Sequence, residues 1–206
     1  MRRPLDFYFD IVCPYAYLAS TQVQALCDRY DTPLCWRPFL LGGLLKATRL
    51  DKDALFTTTL SEQKAHHNRL DVIRWADVRG VAFAWHPRHP VRTLLTMRAL
   101  VQLADADGVI ADAGPIHGLY RALWVEHRDL DDADVLAQTL DELGLDGAAL
   151  VDGTRDPAVK MRLRTLTDDL AARGGFGAPA MFLGDQHFWG QDRLHFVQAA
   201  LQGASQ

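Results

Sequence analysis

The sequence is short of cysteine, of unbalanced charge and of long apolar runs, and each shortage removes a class of protein. Its three cysteines, Cys13, Cys27 and Cys35, are odd in number and too far apart for a C-x-x-C pair. They propose neither a disulfide framework nor a zinc knuckle. Ala16 stands where a dithiol motif opened by Cys13 would need its second cysteine. Lys and Arg number 22 against 26 Asp and Glu, a formal net charge of -4. That balance gives no electrostatic footprint for nucleic acid or an anionic membrane. No apolar stretch reaches the length of a signal-peptide core or a membrane span, so a cytoplasmic protein is expected. Internal repeats and low-complexity tracts are missing too.

What is present is enough apolar material for one full core: 206 residues, 49% of them hydrophobic. The stretch around which the chain is organised runs from Asp6 to Ala19. Leu5 to Val12 is short and rich in aromatic and β-branched residues, which predicts a buried strand. Pro14 suits a first helical position, where its missing N–H costs nothing. Tyr15, Leu18, Ala19, Val23, Leu26 and Tyr30 then recur at helical spacing. Cys13 therefore falls at the N-cap, where unpaired amides and the helix dipole favour a thiolate and a lowered pKa. The competing reading is a half-buried cysteine acting as a small apolar residue.

Further along, Leu34-Cys35-Trp36-Arg37 reads as a second strand closed by Pro38, completing a βαβ unit with a parallel start. Gly42-Gly43 breaks the pattern, and the region up to about Arg173 reads as helical. Ser61 opens a helix that ends at Gly80, and Pro90 opens another that closes at Gly108. Pro115 starts a third, Asp132 caps a shorter one ending near Gly144, and Asp156-Pro157 starts the last, ending at Gly174-Gly175. The tail returns to a strand at Ala180–Leu183, a turn at Gly184-Asp185, a hairpin partner at His187–Trp189, and a helix carrying Leu194, Val197 and Leu201. The order βαβ, helical insertion, ββα is that of an α/β thioredoxin-like fold with an inserted all-helical domain. The expected division is 1–43 and 174–206 for the thioredoxin-like domain and 44–173 for the insertion.

Phe176-Gly177-Ala178-Pro179, directly before a strand, is the second informative site. In thioredoxin-like folds a cis-proline loop stands opposite the residue at the helix top. The residue before that proline offers its backbone to an extended thiol peptide, which pairs like an added strand. Taken alone, a Gly-Ala-Pro turn is an ordinary loop.

Asp6–Asp10 followed by Cys13–Ala19 resembles the opening of 2-hydroxychromene-2-carboxylate isomerases, relatives of kappa-class glutathione transferases in the DsbA-like branch of thioredoxin folds. Pro38–Gly43, Asp71–Ala76 and the tail from Phe176 through Phe188-Trp189-Gly190-Gln191-Asp192-Arg193-Leu194 carry the same resemblance. Between about 105 and 170 it extends only to helical character. The resemblance implies glutathione as the cofactor. Ala178 would pair with its cysteinyl backbone, Gln191 and Asp192 would hold its γ-glutamyl end, and Pro14 and Pro179 would complete the glutathione site. Helix-top amides suit a carboxylate, and the Asp192 side chain suits an ammonium; the plain alternative for Asp192 is a helix N-cap. Family members of the isomerase type usually carry serine at the position of Cys13, so this cysteine is either a weak donor to the bound thiolate or itself a nucleophile. The family often places an asparagine between Lys46 and Lys64, and Thr48–Asp53 has none.

Lys64, His67, Asp71 and Arg74 form one helical stripe. The resemblance assigns Lys64 and the position of His67 to a pocket for an aromatic acid, and Arg74, as a charged residue of the same stripe, and Tyr15 are expected in that pocket too; otherwise the stripe is a solvated face. His86–Arg92 gathers titratable groups between two helices, with no cysteine or carboxylate at metal-ligand spacing, so no metal site is expected. The implied activity is a glutathione-dependent cis-trans isomerisation of an aromatic-derived carboxylate, by a homodimer. The alternatives are a monothiol thiol–disulfide oxidoreductase of DsbA type, a kappa-type glutathione transferase, and a non-catalytic binder.

Overall fold

A computed structural model of the chain describes residues 3–48 and 61–203. Four strands form one sheet: β1 (Leu5–Phe9), β2 (Leu34–Pro38), β3 (Ala180–Leu183) and β4 (Gln186–Trp189), in the order β2-β1-β3-β4. β1 pairs in parallel with β2 through the crossover helix α1 (Pro14–Arg29), and antiparallel with β3, which forms a hairpin with β4. The register sets Phe7 opposite Trp36, and β-strand alternation puts Phe9 on the same face. Both phenylalanines are fully buried and meet the Trp36 ring edge-on at 5.1 and 6.2 Å. Such edge-to-face pairs add to the area that they bury. On the opposite face the nearly buried Asp6 accepts from Arg37 Nε at 2.6 Å and from Arg173 Nη1, so its charge is paired on two sides.

β1 ends at Phe9, three residues before the sequence suggests. The reason is Asp10, whose fully buried carboxylate turns back to accept from Val12 N at 3.1 Å, Leu41 N at 2.8 Å and Thr93 Oγ1 at 2.7 Å. Gly42-Gly43 does not break the chain as expected. Both lie inside α2 (Leu41–Thr48), where burial of Leu41 and Leu44 offsets a glycine penalty of about 1 kcal/mol each.

The helices that follow are α3 (Glu62–Arg79), α4 (Leu94–Val101), α5 (Gly114–Trp124), α6 (Ala133–Glu142), α7 (Gly147–Gly153) and α8 (Pro157–Ala172). α3 begins and ends where its signals lie: Ser61 Oγ accepts from Lys64 N, and Gly80 closes it at φ +63°. α4 corrects an expectation. It begins after Thr93 rather than at Pro90, and Thr93 spends its hydroxyl on Asp10 instead of capping. α7 was not anticipated. It is seven residues long, with Asp146 accepting from Ala149 N. The chain closes with a short 3-10 turn (Gln191–Arg193) running into α9 (Leu194–Gly203). Among the described residues no helix is long and apolar enough to cross a membrane.

Candidate active site at the head of helix α1

Cys13 occupies the N-cap of α1 with extended backbone, φ -92° and ψ 110°. Its side chain caps nothing. The thiol instead donates across the molecule to the Ala178 carbonyl at 3.2 Å, joining the two ends of the chain. The Ala178–Pro179 peptide is cis, and Gly190 N donates to the Pro179 carbonyl at 3.2 Å. Gly177 permits this close approach, because a Cβ there would meet Trp189 Nε1 at 2.5 Å. The loop thus leads from Cys13 directly to the 3-10 turn holding Gln191 and Asp192.

The electrostatics of Cys13 reverse the expectation. A helix top was expected to lower the thiol pKa, but burial pushes it up to about 12. The amides of Ala16 and Tyr15 pull the other way, and the neighbouring Asp10 adds to the upward push. Cys13 is only 7% exposed, and a thiolate loses more by desolvation there than the amides return. In the ligand-free protein this is a neutral thiol that donates.

Beneath it lies a polar hub that sequence reading passed over. Tyr120 Oη donates to the Asp10 carbonyl at 3.3 Å and Trp124 Nε1 to the Ile11 carbonyl at 3.0 Å. With Leu41 and Thr93 already on its carboxylate, Asp10 binds α2, α4 and α5 to the end of β1. Burial raises the Asp10 pKa, and the three hydrogen bonds oppose that rise. The one available signal was an acid closing an apolar strand, at Phe9-Asp10.

Tyr15, the second residue of α1, donates to Asp71 Oδ2 of α3 at 3.4 Å, and burial followed by the Asp71 charge raises its pKa. Asp71 is thereby tied to the site, whereas Lys64, His67 and Arg74 stand exposed on α3. Gln191 is 2% exposed, and its Oε1 is a buried acceptor without a donor among the described residues. Asp192 sits inside the 3-10 turn and pairs with Arg193 at 2.8 Å; Gly190, not Asp192, precedes that turn. This removes the plain N-cap reading of Asp192. The stretch lacking the family asparagine runs into residues 49–60, outside the described residues. In the His86–Arg92 loop, His86 is buried, His89 packs on Trp85 and Trp124 at 5.2 Å each, and Arg88 pairs with Asp129. A cleft of about 690 Å³ between α2, α4 and α8, lined by Leu40, Leu94, Arg98, Leu163 and Thr167 among others, contains none of the expected site residues.

Sheet order, the cysteine at the helix top and the facing cis-proline define a thioredoxin-like fold with a single-cysteine site. More specifically, the sequence model of the DSBA-like thioredoxin domain matches residues 4–202, and the chain belongs to that family. It is 28% identical to a 2-hydroxychromene-2-carboxylate isomerase of Sphingobium xenophagum, over 98% of this chain and 99% of that one. It is 25% identical to glutathione S-transferase kappa 2 of Caenorhabditis elegans, over 94% of this chain and 89% of that one. A solved 2-hydroxychromene-2-carboxylate isomerase superposes with a TM-score of 0.82 at 25% identity, covering 97% of this chain and 94% of that one.

Proposed function

We propose that the protein is a glutathione-dependent isomerase of the 2-hydroxychromene-2-carboxylate type. The observation that carries this is the Cys13 thiol held 3.2 Å from the carbonyl that precedes the cis-proline. A ligand thiolate that approaches the sulfur would accept the Cys13 S–H in place of the Ala178 carbonyl. The freed Ala178 carbonyl would then accept the cysteinyl N–H of glutathione, in the manner of an added strand. The donorless Gln191 Oε1 suits the ammonium of the γ-glutamyl end, beside the Asp192 carboxylate. A Cys13 neutral up to about pH 12 is a donor rather than a nucleophile, which weighs against the oxidoreductase alternative.

In the reaction, glutathione thiolate adds to an unsaturated carbon of the substrate, the former double bond rotates as a single bond, and elimination restores it. Cys13 stabilises the thiolate as it enters and as it leaves. A kappa-type transferase would share the first step and release the adduct. The relatives' names support the substrate class, an aromatic-derived carboxylate, with Tyr15, Lys64, His67 and Arg74 on its side of the site. A cytoplasmic homodimer completes the reading.

The experiment is turnover of 2-hydroxychromene-2-carboxylate with and without glutathione. Glutathione-dependent isomerisation, slowed more than ~tenfold by Cys13→Ala, is the expected result. Turnover indifferent to glutathione would sink the proposal, and turnover indifferent to Cys13→Ala would remove the cysteine from it.

A further inference from the structure

Arg79, the last residue of α3, belongs to neither the thiol site nor the stripe of Lys64, His67, Asp71 and Arg74, yet it reaches two separate elements. Its Nη1 donates to the Leu18 carbonyl of α1 at 3.0 Å, and its Nη2 donates to the Gln191 carbonyl at 2.8 Å. The guanidinium lies over the Trp75 ring, 5.0 Å from the centroid, which limits its own movement. Gln191 is the buried residue with the donorless amide oxygen, and Asp192 follows it. A flat guanidinium bonded to two carbonyls fixes both their separation and their orientation. No other side chain of α3 bonds the 3-10 turn among the described residues. Burial draws the Arg79 pKa down while the Asp192 charge pulls it back up, which places that carboxylate within electrostatic reach.

We propose that Arg79 is a positioning residue for the γ-glutamyl end of a bound glutathione, locking the Gln191–Asp192 turn onto α1 so that the helical region helps to set thiol-ligand affinity. The proposal rests on the glutathione reading above and adds a residue outside the thioredoxin-like strands to it. Arg79 holds the turn and does not touch the thiol, so its effect falls on affinity for one end of the ligand and not on the reaction at sulfur.

The test is calorimetric binding of two thiols to the full chain and to Arg79→Met: glutathione, and cysteinylglycine, which lacks the γ-glutamyl group. A charge-assisted hydrogen bond of this kind is worth enough for ~tenfold in Kd. The expected result is at least that loss for glutathione, a change within about twofold for cysteinylglycine, and kcat at saturating glutathione within about threefold of the native value. Arg79→Lys, which can span only one carbonyl, gives an intermediate glutathione Kd and stands in if Arg79→Met does not fold. Equal glutathione affinity in the variants, or parallel weakening of both thiols, overturns the proposal. Absence of glutathione binding to the native chain would remove the glutathione reading and this proposal with it; binding that the variants leave unchanged removes this proposal alone.

Discussion

The sheet and helix α3 flank the same site but are built differently. In the sheet, Leu5, Phe7, Phe9, Ala180 and Met181 are fully buried, and Trp36 seals the face edge-on. On α3 only Val72 and Ala76 are buried, in a separate small cluster with Leu18, while Leu70, Ile73 and Val78 are 38, 41 and 79% exposed. Tyr15, Trp75, Phe83 and Trp85 pack partly buried against that cluster, and the directed ties of α3 are Tyr15 to Asp71, Arg79 to two carbonyls, and Trp85 Nε1 to the Arg69 carbonyl at 3.2 Å. One side of the site is a dry, closed apolar layer, and the other rests on a small cluster and a few directed bonds. A fixed sulfur on the dry side can face different ligands if the polar side is what varies.

The dry side is tested most severely by its chemistry. If burial governs Cys13, its alkylation by iodoacetamide in the ligand-free chain climbs about a hundredfold from pH 7 to pH 9, with no plateau near neutrality. Peptide mapping separates it from Cys27, whose pKa burial also raises to about 12, and from Cys35. A plateau below pH 8 would show that the helix amides win after all. The sign for stability follows: a thiol whose pKa is higher folded than unfolded leaves stability intact below about pH 8.5 and withdraws it as pH rises toward 12. Next in size, Trp36→Ala in the dry half costs about 3–5 kcal/mol in urea denaturation, because it empties a ring-sized space against Phe7 and Phe9. On the polar side, Ser61→Ala removes the α3 cap and costs about 1 kcal/mol. Ile73→Ser, at an exposed position of the same helix, stays within about 0.5 kcal/mol. Should Ile73→Ser prove as costly as Ser61→Ala, the face is covered by something and the contrast between the halves is smaller than drawn.

The strands were legible because each is a short apolar run bounded by Pro, Gly or Asp, and α3 because both its ends carry capping residues. The helix through Gly42-Gly43 was not, since Leu41 and Leu44 outweigh local propensity only once there is a core to fill. Pro90 misled for a related reason: a proline marks a helix start only where the following backbone turns helical, and here the chain waits until Leu94. Cys13, Ala178 and Pro179 could be singled out by position and pattern, and Gln191 and Asp192 through the family resemblance. Arg79 and Asp10 could not, because all their side-chain hydrogen-bond partners except Val12 lie 31 to 112 residues away.

The sequence by itself determined the order of the strands around a helical middle, the place of the single cysteine at a strand-to-helix junction, and the Gly-Ala-Pro turn before the third strand, since these depend on neighbours a few residues apart. Tertiary structure alone decided that the Ala178 carbonyl faces Cys13, that a buried aspartate lies beneath it, and that its sulfur stays protonated. Solvation explains the division. Whether a thiol ionises depends on how much water surrounds it, and that is fixed only when distant segments close over it.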